Sequence, residues 1–146
     1  MALFIAEIEG KGRGVFSDIL IKADTIIEEC PVIPIDRKNI EALKKTELID
    51  YYFLWGEQDE HGAICLGFGS IYNHSYRSNA VYFLDLTKKQ IIVKALRDIS
   101  AFEEITTNYN RDPIDTSPLW FEVYETGKGI SLSNHLNEKI GGSSNT

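Results

Sequence analysis

Residues 67–80 combine side chains that could bind a ligand. This stretch holds two glycines, three aromatic residues, two asparagines and one histidine. The mixture is too polar for a buried strand and too apolar for a solvated loop, so it predicts a buried connection. Its backbone N–H and C=O groups must then find partners, which Asn and Ser side chains can supply locally or which a ligand can use. A binding site is therefore the first hypothesis.

Two further stretches contain residues of chemical interest. Residues 10–16 read Gly-Lys-Gly-Arg-Gly-Val-Phe, and residues 103–109 read Glu-Glu-Ile-Thr-Thr-Asn-Tyr. Spacing alone favours a tight hairpin turn at the glycines, which can adopt positive φ values. The adjacent Glu103 and Glu104 suggest a pair for acid-base catalysis, but two carboxylates at the entry to a strand are usually solvated. Taken alone, Tyr109 is typical of a core tyrosine with a hydrogen-bonded hydroxyl.

Two other kinds of site are disfavoured by the sequence. His74 and Ser75 cannot form a hydrolase pair merely by adjacency, because neighbouring side chains on an extended chain point to opposite faces. His61, His74 and Cys65 lack the spacing of metal ligands, so no metal site is expected. Cys30 and Cys65 lie in apolar runs and form no CxxC motif, which predicts buried thiols.

Taken together and in this order, the three stretches resemble the SET-domain protein-lysine methyltransferases. That family has a Gly-rich turn before Val-Phe, then Asn-His-Ser-x-x-x-Asn, then Glu-Glu-hydrophobic-Thr-x-x-Tyr, and the resemblance spans roughly Leu3 to Tyr124. It implies an α+β, mostly β, SET-domain fold with small curved sheets around a threaded knot-like core. In that fold the segment near Tyr109 passes beneath a loop next to Asn73-His74. Many short predicted strands and few helices agree with the class, although they cannot provide the topology.

The resemblance also implies a function. It indicates an S-adenosyl-L-methionine-dependent protein-lysine N-methyltransferase, in which Tyr109 is the catalytic tyrosine and Tyr82 and Tyr51 line the lysine channel. The residues expected to bind the cofactor are Gly12, Arg13, Gly14, Asn73, His74 and Trp120. The resemblance gives Glu104 a structural role rather than a chemical one. Many relatives carry zinc-binding cysteine clusters beside the SET domain, whereas this sequence resembles the minimal members that lack them.

The chain departs from the commonest family pattern at several positions. Tyr76-Arg77-Ser78 stands where Cys and Pro are common, and Asn108 stands where Asp is usual, which keeps hydrogen-bonding capacity without the charge. Position 107, usually aromatic or Val, is Thr107, so the number of methyl groups added is not predicted. A non-catalytic SET-fold module that binds peptide or cofactor is the alternative, and methylation of a small-molecule amine is a third. Joint retention of Asn73, His74 and Tyr109 favours the enzyme.

Length and local patterns predict the domain organisation. A chain of 146 residues suits one domain, expected to be a SET domain over residues 1–126, with a short helix near 117–125. Residues 127–146 are expected to form a polar, flexible tail. Strands are predicted at 3–8, 26–35, 63–66, 81–86 and 90–96, with Pro31 and Pro34 favouring an edge strand or one that leaves the sheet. A helix is predicted over 38–49, capped by Asp36.

Charge and hydropathy indicate the kind of partner. The net charge is −7, from 22 acidic and 15 basic residues, which disfavours direct nucleic-acid binding and favours a basic, lysine-containing protein or peptide substrate. A histone tail is the family default. No apolar run approaches the roughly 18 residues that a membrane span requires, and the N-terminus lacks a secretory signal. We therefore expect a soluble intracellular protein of the cytoplasm or nucleus, with no membrane partner and with its oligomeric state open.

Overall fold

The computed structural model describes residues 1–119, which form short strands and very little helix. This confirms the mostly β, α+β class. The helical segments are α1 (Ile40–Leu43) and two single 3-10 turns, Arg37–Asn39 and Glu47–Asp50. The strands are β1 (Leu3–Ile8), β2 (Gly12–Ser17), β3 (Ile26–Ile35), β4 (Tyr52–Trp55), β5 (His61–Cys65), β6 (Asn73–His74), β7 (Ala80–Asp85), β8 (Gln90–Ala95) and β9 (Glu104–Thr107).

The strands form two small sheets. Their strand orders are β1-β2-β9-β6 and β4-β5-β3-β8-β7. The described residues also divide into two compact units. The first unit comprises residues 1–25, 72–81 and 95–119, and the second comprises residues 26–71 and 82–94.

The core of the first unit lies around β2. Val15 and Phe16 are buried and pair in antiparallel register with Ile105 and Glu104 of β9. Phe4 of β1 stacks on Phe16, with ring centroids 5.7 Å apart. Large apolar side chains on both sides of β2 therefore fix the position of β9, the strand that leads to the candidate site.

A short parallel pair joins two of the chemically interesting stretches. In β6, Asn73 lies opposite Thr106 and His74 opposite Thr107 of β9. The Ser75 N–H extends the pairing by donating to the Thr107 carbonyl at 3.0 Å. Parallel neighbours need a long connection between them, so segments far apart in the sequence meet at this pair. Within the first unit, the Asn-His-Ser motif thereby lies beside the strand that precedes Tyr109.

The second unit is organised by β3, which changes partner along its length. Residues 26–31 pair with β8 and residues 32–35 pair with β5. The Val32 N–H donates towards β8, to Lys89 O at 3.1 Å, while Pro31 O on the other side accepts from Leu66 at 2.9 Å. By strand alternation, Pro34 faces the β8 side beyond the end of its ladder. β3 is therefore neither an edge strand nor a strand that leaves the sheet, because it is interior in strand order. Each half of β3 pairs with only one neighbour, which accommodates both prolines.

The predicted helix over 38–49 is wrong in extent. Asp36 does cap its start, accepting from the Lys38 N–H at 3.0 Å, but regular helix is limited to α1. Thr46 interrupts it, because its Oγ1 donates to Leu43 O at 2.7 Å and accepts from the Leu48 N–H at 3.2 Å. One hydroxyl thus ends the first helical segment and begins the next 3-10 turn. The predicted strands over 81–86 and 90–96 are confirmed as β7 and β8.

The cysteines of the second unit are free and buried, as predicted. A hydrogen bond with Cys65, together with burial, raises the pKa of the Cys30 thiol well above its usual range. Gly69 packs directly on these sulfurs, since a Cβ at this position would overlap with Cys65 Sγ. The two cysteines therefore act as buried, space-filling side chains.

Several sequence predictions concern residues outside the described range. The helix near 117–125 is described only at its first three residues, which are not helical. The rest of that helix, the domain boundary at residue 126 and the tail over 127–146 all lie outside the described residues. Within residues 1–119, no helix is long and apolar enough to cross a membrane.

Candidate active site

The side chain of Asn73 is held in one orientation. Its Nδ2 donates to Arg13 O at 2.8 Å and to Glu104 Oε2 at 3.2 Å. These two acceptors account for both N–H donors of the amide. Oδ1 remains as an acceptor to which no residue of the described part donates. Arg13, predicted as a cofactor-binding residue, thus takes part through its backbone carbonyl.

Glu104 is a buried carboxylate, although adjacent carboxylates at the entry to a strand are usually solvated. Its side chain is 5% exposed, and Oε1 lies 2.7 Å from Nζ of Lys11, itself 7% exposed. A buried carboxylate needs an opposite charge and hydrogen bonds to remain ionised. Lys11 supplies the charge and Asn73 supplies a further hydrogen bond. The ion pair connects the Gly-rich turn to β9, and neither stretch predicts it when considered alone.

Gly12 and Gly14 of the turn must be glycine for different structural reasons. Gly12 has φ +82°, and a Cβ at this position would meet nothing within 4 Å. A Cβ at Gly14 would lie 2.7 Å from Glu104 Oε2 and 3.3 Å from Asn73 Nδ2. Gly14 is therefore required by the packing of Glu104 and Asn73. Gly12 is required by its backbone conformation and borders open space, which fits the close approach of a bound cofactor.

His74 and Tyr109 form a second hydrogen-bonded group in the first unit. The Tyr109 N–H donates to Nδ1 of the buried His74 at 2.9 Å, and the two ring centroids are 5.3 Å apart. The Tyr109 hydroxyl donates to Tyr72 O at 2.6 Å. Tyr109 is thus fixed at both its backbone and its hydroxyl.

The turn after Tyr109 is organised by the buried Asn108. Its Nδ2 donates to Asp115 O at 2.7 Å, and its Oδ1 accepts from the Asn110 N–H at 2.9 Å. An ionised Asp at position 108 could accept but could not donate. This geometry gives a physical reason for the departure from the family pattern, because the Asn108 amide holds the turn from both ends.

Ser117 connects this turn to the Asn-His-Ser stretch. Its carbonyl accepts from the Tyr76 hydroxyl at 3.1 Å and from Asn110 Nδ2 at 3.0 Å. Hydrogen bonds from Ser117 hold the pKa of the Asp115 carboxyl below its usual value. The ring of Tyr76 packs edge-on against His74, with centroids 4.4 Å apart. Hydrogen bonds to Ser117 therefore connect the Asn-His-Ser stretch to the turn after Tyr109.

Asn79, the last residue of the Asn-His-Ser-x-x-x-Asn motif, acts as a buried link. Its Nδ2 donates to Glu104 O at 2.7 Å, and its Oδ1 accepts from the Thr106 N–H at 2.9 Å. It thereby satisfies two backbone groups of β9. The sequence indicates Asn79 only as part of the motif, and it assigns no role to Lys11 or Tyr72 within their stretches. For Lys11 the available signal was a single charged residue between two glycines.

The remaining predicted site residues are Tyr82, Tyr51 and Trp120. Tyr82 is buried in the second unit, where its ring packs edge-on against Phe53 with centroids 5.3 Å apart. Tyr51, also in the second unit, is 38% exposed, and its carbonyl accepts from Ser70 Oγ at 3.2 Å. Trp120 lies outside the described residues. The first unit contains the other six predicted residues: Gly12, Arg13, Gly14, Asn73, His74 and Tyr109. Among the described residues, no cluster of His, Cys, Asp and Glu side chains could hold a metal ion.

Comparison with known proteins agrees with this arrangement. The family model for the SET domain matches residues 12–110. Over 137 residues the chain is 34% identical to the Schizosaccharomyces pombe protein named histone-lysine N-methyltransferase, H3 lysine-37 specific, and the match covers 93% of this chain and 88% of that relative.

Solved structures give the same result for the fold. A Plasmodium falciparum protein described as a candidate histone methyltransferase matches with a TM-score of 0.59 and 32% identity, covering 73% of this chain and 91% of that one. CpSET8 from Cryptosporidium matches with a TM-score of 0.60 and 23% identity, covering 80% of this chain and 59% of that one, and supports the fold alone. With its Asn-His-Ser and Glu-Glu-Ile-Thr stretches paired as described and the family model matching most of its length, this chain belongs to the SET-domain family and is a protein-lysine methyltransferase.

Proposed function

We propose that this protein uses S-adenosyl-L-methionine to methylate a lysine within a basic protein segment, with a histone tail as the favoured substrate. The observation that carries the proposal is that hydrogen bonds hold Asn73, His74 and Tyr109 in place at the β6–β9 pair. The yeast relative is named for action on histone H3, which supports the choice of substrate. The domain organisation that we propose remains a SET domain over residues 1–126.

The cofactor would bind at the Gly-rich turn and the Asn-His stretch. Gly12 offers open space at a positive φ, and Asn73 Oδ1 can accept from an N–H or O–H group of the cofactor. When bound, the cofactor supplies a methyl group on a sulfonium, which is the electrophile of the reaction. Arg13, Gly14 and His74 would shape the same pocket through backbone groups and packing. The proposed role of Trp120, which rests on the sequence, is to cover the adenine.

Tyr109 would orient the attacking amine. Because its hydroxyl hydrogen is directed at Tyr72 O, its oxygen can accept from the lysine amine and hold the nitrogen in line with the methyl group. A free lysine has a pKa near 10.4, so neutralising it at pH 7 costs about 4–5 kcal/mol. Aromatic walls reduce this cost by disfavouring the charged ammonium through desolvation. The proposal that Tyr82 and Tyr51 form such walls rests on the sequence resemblance.

The acidic surface would favour a substrate with several basic residues. Glu57, Asp59 and Glu60 cluster in one exposed stretch of the second unit, and Asp112 lies exposed after Tyr109 in the first. Negative charges that face a basic peptide raise the encounter rate more than the final affinity. Such steering weakens at high salt, since the Debye length is about 8 Å at physiological ionic strength.

Two measurements test the proposal. Calorimetry should detect binding of S-adenosyl-L-methionine to the full chain. Mass spectrometry should then detect a mass gain of methyl units on a histone H3 tail peptide, and a weaker gain on the same peptide with the flanking Lys and Arg residues changed to Gln. Cofactor binding without methylation of any peptide or protein extract would favour the non-catalytic module. Methylation confined to free amines would favour a small-molecule enzyme.

A further inference from the structure

We infer that Glu104 is a positioning residue of the cofactor site, acting through Asn73. Its buried carboxylate fixes the Asn73 amide so that Oδ1 is the atom presented to the ligand. The ligand group at this point must then be an N–H or O–H donor. The inference rests on the proposed cofactor, and it assigns a role to the ion pair between Glu104 and Lys11.

The chemistry of the carboxylate explains the fixation. An Asn amide has a donor end and an acceptor end of nearly the same shape, so a neutral neighbour can accept either orientation. An ionised carboxylate has no donor, and only the NH₂ group of Asn73 can face Glu104 Oε2, at 3.2 Å. Arg13 O also accepts from Nδ2, at 2.8 Å. Two acceptors on one side of the amide therefore direct its oxygen to the other side.

Lys11 makes this arrangement stable. The Lys11 ammonium lies 2.7 Å from Oε1 of the buried Glu104, and this pairing leaves Oε2 to accept from Asn73. Gly14 leaves the space that Oε2 and Nδ2 share. All members of this group lie in the first unit.

A buried ion pair can also serve stability alone, and two matched double variants separate the roles. Lys11→Met with Glu104→Gln removes both charges but keeps an oxygen acceptor for Asn73. Lys11→Met with Glu104→Leu removes both charges and the acceptor. We expect the Gln variant to bind S-adenosyl-L-methionine severalfold more weakly than wild type by calorimetry, because a neutral amide permits both orientations of Asn73. The Leu variant should bind at least about tenfold more weakly, which corresponds to about 1.4 kcal/mol.

Adding Asn73→Ala to both double variants gives the decisive control. If Glu104 acts through Asn73, the difference between Gln and Leu at position 104 should vanish when the amide is absent. Thermal unfolding of each protein reports stability separately from affinity. Equal cofactor affinity of the Gln and Leu variants, with wild-type binding intact, would overturn the inference and leave the proposed function standing. Absence of binding by the wild type would overturn the proposed function and the inference with it.

A second arm does not need an apolar residue at position 104, in case that variant fails to fold. Glu104→Gln alone is compared in the wild-type and Asn73→Ala backgrounds. A neutral amide beside Asn73 permits both orientations, so cofactor affinity should fall severalfold in the wild-type background and less than twofold without the Asn73 side chain. The same factor in both backgrounds would show that Glu104 acts independently of Asn73, and the inference would be wrong.

Discussion

Each unit contains a buried cluster of side chains, and the two clusters differ in kind. In the first, Glu104, Lys11 and Asn79 are buried with their charges and hydrogen bonds matched. In the second, the buried pair Cys30 and Cys65 contacts Gly69, where a Cβ has no room. The identity of a residue in the first cluster is fixed by pairing, whereas in the second it is fixed by volume. The first therefore holds polar atoms in defined directions, which a binding site requires.

The largest expected effect is on turnover, and it distinguishes a catalytic role of Tyr109 in the first unit from a packing role. Tyr109→Phe removes one hydroxyl and its bond to Tyr72 O without changing the ring. Turnover on a histone peptide should fall at least about 100-fold, the scale seen when one group that stabilises a transition state is removed. Cofactor affinity should change little. Single-turnover rates and calorimetry on the same preparations measure both quantities.

Tyr76→Phe is the matched control for that variant. The Tyr76 hydroxyl also donates to a carbonyl, Ser117 O at 3.1 Å, and the ring also packs on His74. Each variant should lose about 1 kcal/mol of stability, the usual net value of a hydrogen bond, but Tyr76→Phe should retain most of the turnover. If Tyr109→Phe retained as much turnover as Tyr76→Phe, Tyr109 would be a core residue without a catalytic role.

The next prediction compares the loss of folding stability when one buried residue is truncated in each unit. Asn79→Ala leaves the Glu104 carbonyl and the Thr106 N–H without their partner, and each unsatisfied buried group costs about 1–3 kcal/mol. We expect a loss of about 3 kcal/mol in the free energy of unfolding. Ile91→Val, a truncation in the core of the second unit, should cost about 1 kcal/mol. Urea denaturation at pH 7 measures both, and a larger loss for Ile91→Val would contradict the proposed contrast.

Much of the fold follows from local patterns. The Leu3–Ile8 strand agrees residue for residue with the prediction, because it is a short, mostly apolar run that ends shortly before the turn at Gly10. The helix over 38–49 was predicted too long, since Thr46 looks like an ordinary polar residue until its hydroxyl is seen to bond Leu43 and Leu48. The parallel β6–β9 pair could not be predicted from periodicity at all. Its strands are two and four residues long and lie about thirty residues apart.

The candidate site was predicted from the family motifs and not from the local physical properties of its residues. Adjacent carboxylates are usually solvated, and only the family resemblance gives Glu104 a structural role; its partner Lys11 is 93 residues away in sequence. Pairings at such separation depend on the fold and leave no local signal. Asn108 was interpreted as harmless variation, whereas its amide bonds on both sides show why the donor matters.

A smaller effect asks whether the second unit also contributes to the chemistry. Tyr82 is buried against Phe53, so it could be core alone. If it lines the lysine channel, Tyr82→Phe should admit further methylation and raise the ratio of higher to lower methylation states severalfold, because a hydroxyl that occupies space and holds water is lost. Mass spectrometry over a full time course measures the ratio. An unchanged distribution would limit Tyr82 to a packing role.

The smallest effect concerns acid stability and compares one carboxylate from each unit. Burial acts to raise the pKa of Glu103, but hydrogen bonds from Arg97, Ser100 and Asn79 outweigh it and hold the pKa below the usual value. The pKa of Asp36, in the second unit, is lowered chiefly by the Lys38 N–H at an exposed cap. A carboxylate with a lowered pKa in the folded state stabilises the protein above its unfolded pKa, near 4. That contribution disappears as the pH falls through the folded pKa.

Glu103→Gln and Asp36→Asn should therefore be less stable than wild type at pH 6, and both differences should shrink towards pH 3. The Glu103 difference should be the larger at pH 6, since its partners are a guanidinium at 2.8 Å and a backbone N–H at 2.9 Å on a less exposed side chain. Urea midpoints measured at pH 6, 4.5 and 3 give the comparison. If the Glu103→Gln difference stayed constant with pH, the pairing of Glu103 would make no contribution through ionisation. If Asp36→Asn showed the larger difference, matched charges would matter no more in the first unit than at an exposed cap.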